Sequence, residues 1–172
     1  MLTNQELSEV VEDLTSSDAS FRCVMLRVLW ESPAADKRIL PYLERLLHDK
    51  SACLLAIPYC FGEIRWLAAQ ALGAERAALG ILEPVRLQNA VKPLSTADVV
   101  TAEYEAGIDG RGGVEGVLES FAILNEMGYL PRYDLELSYW IDEEEYEYED
   151  EDEEHQERPY TIERMPALAA IA

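Results

Sequence analysis

The residue of this chain whose type and surroundings most suggest chemistry is Arg65, a single cation inside an apolar stretch. Residues 63–73 read EIRWLAAQALG. An arginine in such a stretch can be a catalytic group, an anion receptor or a structural strut. Catalysis or anion binding needs a nearby nucleophile or a phosphate cradle, and the surrounding sequence displays neither. The pattern therefore favours a structural role for Arg65.

The second concentration of chemical groups is the acidic segment 142–157, DEEEYEYEDEDEEHQE. It holds 12 acidic residues and no Lys or Arg. One interpretation is a solvated run of like charge with no specific partner. The functional interpretation is docking on a basic surface, with two tyrosines burying aromatic area. Weak divalent-cation binding is a third, although the glycine-bearing spacing of a calcium loop is missing. The residues predicted to bind a partner are Asp142, Glu143, Glu144, Glu145, Tyr146, Glu147, Tyr148, Glu149, Asp150, Glu151 and Asp152.

The overall charge indicates which partners fit. The chain carries 34 acidic and 14 basic residues, a formal charge of −20, and it remains acidic outside segment 142–157. Direct binding to nucleic acid is disfavoured, because it requires clustered Lys and Arg on the phosphates. A basic protein is the natural complement. The sequence leaves the oligomeric state open.

Cysteines and histidines predict neither a metal site nor a cofactor. Cys23, Cys53 and Cys60 are odd in number and lack CxxC spacing, which disfavours a disulfide framework and a zinc site. Their apolar neighbours predict small core residues. His48 and His155, the two histidines, form no metal-binding motif.

Nucleophile and phosphate motifs are equally weak. The serines lack the G-x-S-x-G context. The glycine-rich stretch 107–113, GIDGRGG, has no following Lys-Ser or Lys-Thr. We therefore predict no catalytic residues.

No apolar run approaches the roughly 20 residues of a membrane-spanning helix. The first residues carry acids in place of the basic and apolar regions of a secretion signal. A cytoplasmic location, with no membrane partner, is the expectation.

The secondary structure that must position these residues is predicted to be mainly helical. Apolar residues at helical spacing predict helices over 4–14, from about 21 to Pro33, from Ala35 to about 47, and from Ile64 to a stop at Gly73 or Gly80. Further helices are expected over 81–91, 98–106 and 114–128. Residues 135–141 alternate like a strand, without an obvious partner. The apolar stretch 51–61 is left open between helix and loop.

Two parts of the helical region resemble each other. Phe21-Arg22 aligns with Ile64-Arg65, and Leu14 with Leu47, with about ten extra residues inside the second unit. Residues 40–49 (LPYLERLLHD) and 64–73 (IRWLAAQALG) resemble the two helices of a HEAT-like repeat of the short bacterial type named after phycobilisome lyases. The hallmark is an apolar residue followed by Arg, small residues and Ala-Leu-Gly.

The resemblance implies an all-α fold: a short α-α superhelix, or HEAT-like and armadillo-like alpha solenoid, over residues 1–128. Degenerate C-terminal helices would precede an acidic extension, 129–172, either partly disordered or containing short β structure. Arg65 would brace the inter-helix turn by pairing with Asp49 or Asp18, and Arg22 would pair with Asp18. Gly73 completes the motif.

For function, the resemblance implies a non-catalytic protein-binding scaffold or adaptor. The acidic surface would bind a basic protein, and one version is an inhibitor or immunity-type protein that masks a basic enzyme. The alternative is a bilin lyase or chaperone-like enzyme of the phycobilisome-lyase type.

Overall fold

The computed structural model describes residues 1–56 and 59–137. Within them the chain forms six helices and five strands. In chain order these are α1 (Asn4–Leu14), α2 (Ala19–Glu31), α3 (Leu40–Leu46), β1 (Ala52–Ala56), β2 (Cys60–Glu63), α4 (Ile64–Ala78), β3 (Val85–Val91), β4 (Leu94–Ser95), α5 (Thr96–Ala106), α6 (Gly113–Glu126) and β5 (Arg132–Leu137).

The predicted all-α fold is wrong, because the chain builds two antiparallel sheets. One sheet has the strand order β1-β2-β4, and the other pairs β3 with β5. The HEAT-like and armadillo-like alpha solenoid is therefore replaced by a mixed α/β architecture. The stretch 51–61, left open between helix and loop, supplies strand β1 and the first two residues of β2, which pair as a hairpin. Short apolar runs of this length do not distinguish buried strands from buried helices.

The helix predicted over 81–91 is also wrong, since this segment is strand β3. Its buried residues Val85 and Leu87 alternate with the exposed Arg86 and Gln88, which is the two-residue period of a strand. The strand predicted over 135–141 corresponds to β5, which begins earlier and pairs with β3. This sheet joins residues on both sides of the boundary predicted at 128.

The other six predicted helices are present as α1 to α6, and several of their ends have clear causes. Thr3 caps α1 in a reciprocal capping box with Glu6, and Ser95 caps α5 in the same way with Asp98. Helix α3 begins at Leu40 instead of Ala35. Ala35 has a left-handed φ of 50°, which a helix cannot continue through.

Helix α4 is the centre of the molecule. Every residue from Ile64 to Glu75 is buried, with α2 and α3 packed on one part of its surface and β3 on another. A helix that is apolar nearly all round has to be buried on all sides. Gly73 lies inside this helix and does not end it. The chain leaves the helix at Gly80, which has a left-handed φ of 75°.

Buried apolar side chains form two clusters. The larger one lies between α1 to α4, the β1–β2 hairpin and the β3–β5 sheet. The smaller one lies between α5, α6 and the opposite side of β2, around Phe61 and Phe121. Strand β2 separates the clusters, so its last residue, Glu63, lies deep inside the protein.

Candidate functional site

Glu63 is a fully buried carboxylate at the junction between β2 and α4. Its Oε2 accepts from Arg65 Nε at 2.6 Å and from the Val91 backbone N–H at 3.2 Å. Its Oε1 accepts from Asn125 Nδ2 at 3.2 Å and from Arg132 Nη1 at 3.3 Å. Both oxygens therefore have two donors, which offsets much of the cost of burying the charge.

Arg65 uses the rest of its guanidinium on the backbone of β3. Its Nη1 donates to the Gln88 carbonyl at 2.9 Å, and its Nη2 donates to the Asn89 carbonyl. The β3–β5 register is interrupted between Leu87 and Ala90, and Asn89 has a φ of 54°. The interruption turns carbonyls out of the ladder, where a buried arginine can reach them.

Arg132 and Asn125 complete the network from the far side. Arg132 Nη1 also donates to the Asn89 carbonyl at 2.9 Å, and its Nη2 donates to Asn125 Oδ1. Asn125 Nδ2 additionally reaches the Lys50 carbonyl at 3.3 Å. We call Glu63, Arg65, Asn125 and Arg132 the buried polar network. It ties β2, α4, β3, α6 and β5 together.

The buried polar network acts as a clasp, by which we mean a set of buried hydrogen bonds and ion pairs that joins separate elements of the fold. The Glu63 carboxylate faces two guanidinium groups. The guanidinium N–H groups that do not reach the carboxylate donate mainly to backbone carbonyl groups. Arg65 therefore pairs with Glu63, in place of the predicted Asp49 or Asp18. Glu63 stands two residues before Arg65 in the sequence, but only the fold shows that their side chains converge.

The predicted structural residues Asp18, Arg22 and Asp49 are rearranged in a similar way. Arg22 Nε pairs with Asp49 Oδ2 at 2.9 Å, while Asp18 caps α2 by accepting from the Ser20 backbone N–H at 2.9 Å. Asp49 also accepts from the Ser51 backbone N–H at 2.9 Å. The Arg22–Asp49 pair thus links α2 to the connection after α3. The predicted pair between Arg22 and Asp18 is not formed.

Two buried carboxylates hold the loop between α2 and α3. Glu75 Oε1 accepts from the Ala34 backbone N–H at 2.6 Å, and burial raises the pKa of Glu75. Asp36 accepts from Arg38 and from the Leu2 backbone N–H. Hydrogen bonds from Arg38 hold the pKa of Asp36 well below its usual range. Asp36 and Arg38 thereby fix the start of the chain against this loop.

Helix α2 presents an apolar stripe to solvent. Phe21, Val24 and Val28 are 56%, 62% and 49% exposed, and their spacing of three and four residues places them on one face. The exposed Glu31 follows Val28 by three residues on the same face. We call Phe21, Val24 and Val28 the α2 stripe. Its apolar area borders negative charge.

The neighbouring helix α1 adds to that charge. It exposes Glu6, Glu9 and Glu12 and contains no Lys or Arg. Elsewhere in the described residues, seven arginines form ion pairs with carboxylates: Arg22, Arg38, Arg65, Arg76, Arg86, Arg111 and Arg132. Much of the positive charge is therefore neutralised locally, whereas α1 leaves its acids facing water.

The remaining sequence predictions fall elsewhere. The acidic segment 142–157 lies outside the described residues. Cys23, Cys53 and Cys60 are free and buried. In residues 1–56 and 59–137, no three His, Cys, Asp or Glu side chains gather in a way that could hold a metal ion. Over the same residues, no helix has the length and apolar character needed to cross a membrane.

Comparison with known proteins gives no relative for this chain: no protein-family model, curated protein or solved structure matches it.

Proposed function

We propose that this protein is a non-catalytic protein-binding module whose acidic surface binds a basic protein partner, with the α2 stripe as the apolar part of the contact. The observation that carries the proposal is the stripe itself. Three large apolar side chains on one face of a single helix remain about half exposed, although the same helix buries Leu26 and Leu29 on its other side.

Apolar area of this kind is the usual core of a binding surface. A lone exposed valine needs no explanation, whereas a contiguous row on a helix suits docking against an amphipathic partner. The two arginines of α2 are engaged by other parts of the fold. Arg22 pairs with Asp49, and Arg27 donates to the Leu54 carbonyl. The charge of Arg22 is therefore balanced by a carboxylate, and the guanidinium of Arg27 is directed to the backbone of β1.

The negative charge around the α2 stripe favours a positively charged partner. Glu31 lies on the same face, Asp18 precedes the helix, and α1 contributes the exposed carboxylates of Glu6, Glu9 and Glu12. A chain of charge −20 attracts cationic molecules over a distance and raises their association rate. Segment 142–157 would strengthen this attraction. The complementary ligand is a protein segment with apolar residues on one side and Lys or Arg around them.

Two finer interpretations remain proposals. An inhibitor or immunity-type protein would use this surface to mask a basic enzyme, and a scaffold or adaptor would use it to gather partners. The alternative, a bilin lyase or chaperone-like enzyme, rests on the HEAT-like resemblance alone. A change in bilin absorbance on mixing with the protein would support it.

The test measures binding of a labelled, basic amphipathic helical peptide by fluorescence anisotropy. Its comparison peptides are a scrambled basic peptide without an apolar face and an acidic amphipathic peptide. The variant Phe21→Ser/Val24→Ser/Val28→Ser removes the stripe. Val100→Ser/Tyr104→Ser is the matched control, because it removes exposed apolar side chains from α5. A deletion of residues 142–157 measures the contribution of that segment.

We expect the basic amphipathic peptide to bind best and the stripe variant to lose affinity about tenfold or more, corresponding to roughly 1.4 kcal/mol. The α5 control should bind like wild type, and added salt should slow association. Equal affinity in the wild type and the stripe variant would show that the stripe is no docking site. Insensitivity to salt and to the deletion would refute the electrostatic part.

A further inference from the structure

Two of the three cysteines meet in the core. Cys23 lies on the inner face of α2, Cys53 lies on β1, and both are buried in the same core cluster. The Cys23 Sγ also lies 3.5 Å from the Leu54 carbonyl oxygen. Both residues belong to regular elements that pack against each other. The fold therefore places the Cys23 sulfur beside the part of β1 that carries Cys53.

The surroundings make the two thiols unequal. The hydrogen bond from Cys53 lowers the pKa of Cys23 to about 7, and the nearby cation of Arg27 acts in the same direction against the effect of burial. The pKa of Cys53 is raised by its bond to Cys23 and by burial. A thiolate at Cys23 with a neighbouring thiol is the arrangement of an attacking and a resolving cysteine.

Cys60 provides an internal comparison. It lies on β2 opposite Ala56, while Cys53 lies opposite Gly62, so the hairpin separates the two cysteines along its length. Burial raises the pKa of Cys60. The chain thus contains one paired set of thiols and one buried cysteine outside that pair.

We propose that Cys23 and Cys53 form a reversible intramolecular disulfide when the folded protein meets a peroxide. The Cys23 thiolate attacks one peroxide oxygen, the O–O bond breaks, and Cys23 becomes a sulfenic acid while the other oxygen leaves as water. Cys53 then attacks the Cys23 sulfur, the S–O bond breaks, and a second water leaves. Two thiols and one hydrogen peroxide give one disulfide and two waters.

Burial restricts the oxidant. Cys23 is 9% exposed and Cys53 is 3% exposed, so a molecule as small as hydrogen peroxide reaches them more easily than a protein oxidant does. In a reducing compartment such a bond would be transient, which is how disulfides usually occur there. The proposal is independent of partner binding, and its test does not require a partner.

The experiment treats the reduced full-length chain with hydrogen peroxide under native conditions and then alkylates the remaining thiols. Intact mass reports the loss of two hydrogens and the number of alkylated cysteines. Trypsin releases Cys23 in residues 23–27, but it leaves Cys53 and Cys60 together in residues 51–65. Tandem mass spectrometry of the cross-linked peptide and the variants Cys23→Ser, Cys53→Ser and Cys60→Ser identify the bonded pair.

We expect the wild type and Cys60→Ser to form the cross-link, with one and no alkylated cysteine respectively, and dithiothreitol to restore all free thiols. Cys23→Ser and Cys53→Ser should form none, with circular dichroism verifying that they are folded. A cross-link between Cys23 and Cys60, or a folded wild type that keeps three alkylatable thiols, would overturn the proposal. The tandem spectrum of the wild type decides the pair even if a variant fails to fold.

Discussion

Arg65 and Glu63 stand two residues apart at the junction of β2 and α4, and the arginine Nε donates to the Glu63 carboxylate at 2.6 Å inside the core. The side chains of Arg65 and Glu63 are 5% and 1% exposed, respectively. Its other bonds run to backbone and side-chain groups of β3, α6 and β5. A local pair in sequence therefore holds distant parts of the chain.

Breaking this pair should cost much of the protein's stability. Arg65→Ala removes a guanidinium from a buried carboxylate and takes its donor from the Gln88 carbonyl, while the Asn89 carbonyl keeps only Arg132. We expect a loss of about 3 to 5 kcal/mol in the free energy of unfolding, as for other buried pairs that lose one partner. Urea unfolding followed by circular dichroism measures it. Arg86→Ala, which breaks the exposed pair with Glu136, is the control and should change stability far less. Equal losses in the two variants would contradict the clasp.

The left-handed residue Ala35 offers a stabilising substitution. Ala35 has a φ of 50°, where an alanine side chain is strained and glycine is not. Ala35→Gly should therefore raise the free energy of unfolding by up to about 1 kcal/mol, after the added flexibility of the unfolded chain is counted. Ala34→Gly is the matched control one residue earlier, and it should destabilise. A destabilising Ala35→Gly would indicate that the loop tolerates the alanine conformation without strain.

Asp36 should make part of the stability depend on pH. Its folded pKa is depressed, chiefly by hydrogen bonds from Arg38, so its contribution is fully present above the unfolded pKa of about 4. That contribution is lost as the pH falls toward the folded pKa. The folded pKa of Glu75 is raised by burial, which acts with the opposite sign. The readout is therefore the difference between wild type and Asp36→Asn in urea unfolding from neutral to acidic pH. A difference that does not shrink below pH ~4 would contradict the assignment.

Cys23 should react as a thiolate at neutral pH. With a pKa of about 7, its alkylation rate should rise to half its maximum near that pH. Cys53→Ala removes the hydrogen bond that is the main cause of the lowered pKa, so the midpoint should move upward. Mass-spectrometric counting of iodoacetamide adducts on residues 23–27 over a pH series gives the rates. An unchanged midpoint in Cys53→Ala would mean that Cys53 does not set the acidity of Cys23.

The helices could be predicted from the sequence because their signals are local. The apolar spacing in α1 and the polar residue before α5 specify a helix and its first turn without reference to the rest of the chain. The helical stretch around Arg65 was recognised for the same reason. Its alignment with the segment that begins at Phe21 does not extend to packing, because Phe21 is exposed where the aligned Ile64 is fully buried.

The sheets and the buried polar network depend on contacts that no local pattern reveals. Strand β3 carries Gln88 and Asn89 inside an interrupted register, which obscures its alternation, and its partner β5 lies more than forty residues later. Glu63 gains its side-chain donors from Arg65, Asn125 and Arg132, the last of them 69 residues away in sequence. Such convergence follows from the fold as a whole.

Helix α4 also has a consequence for how the protein moves. Its residues from Ile64 to Glu75 are covered on every side, so local fraying cannot bring their hydrogen-bonded amides to water. In a hydrogen-exchange experiment these amides should exchange only when the whole domain opens. Helix α1, with exposed acids along its length, would exchange earlier. The slowest amides of α4 would thus report the global free energy of unfolding directly, residue by residue.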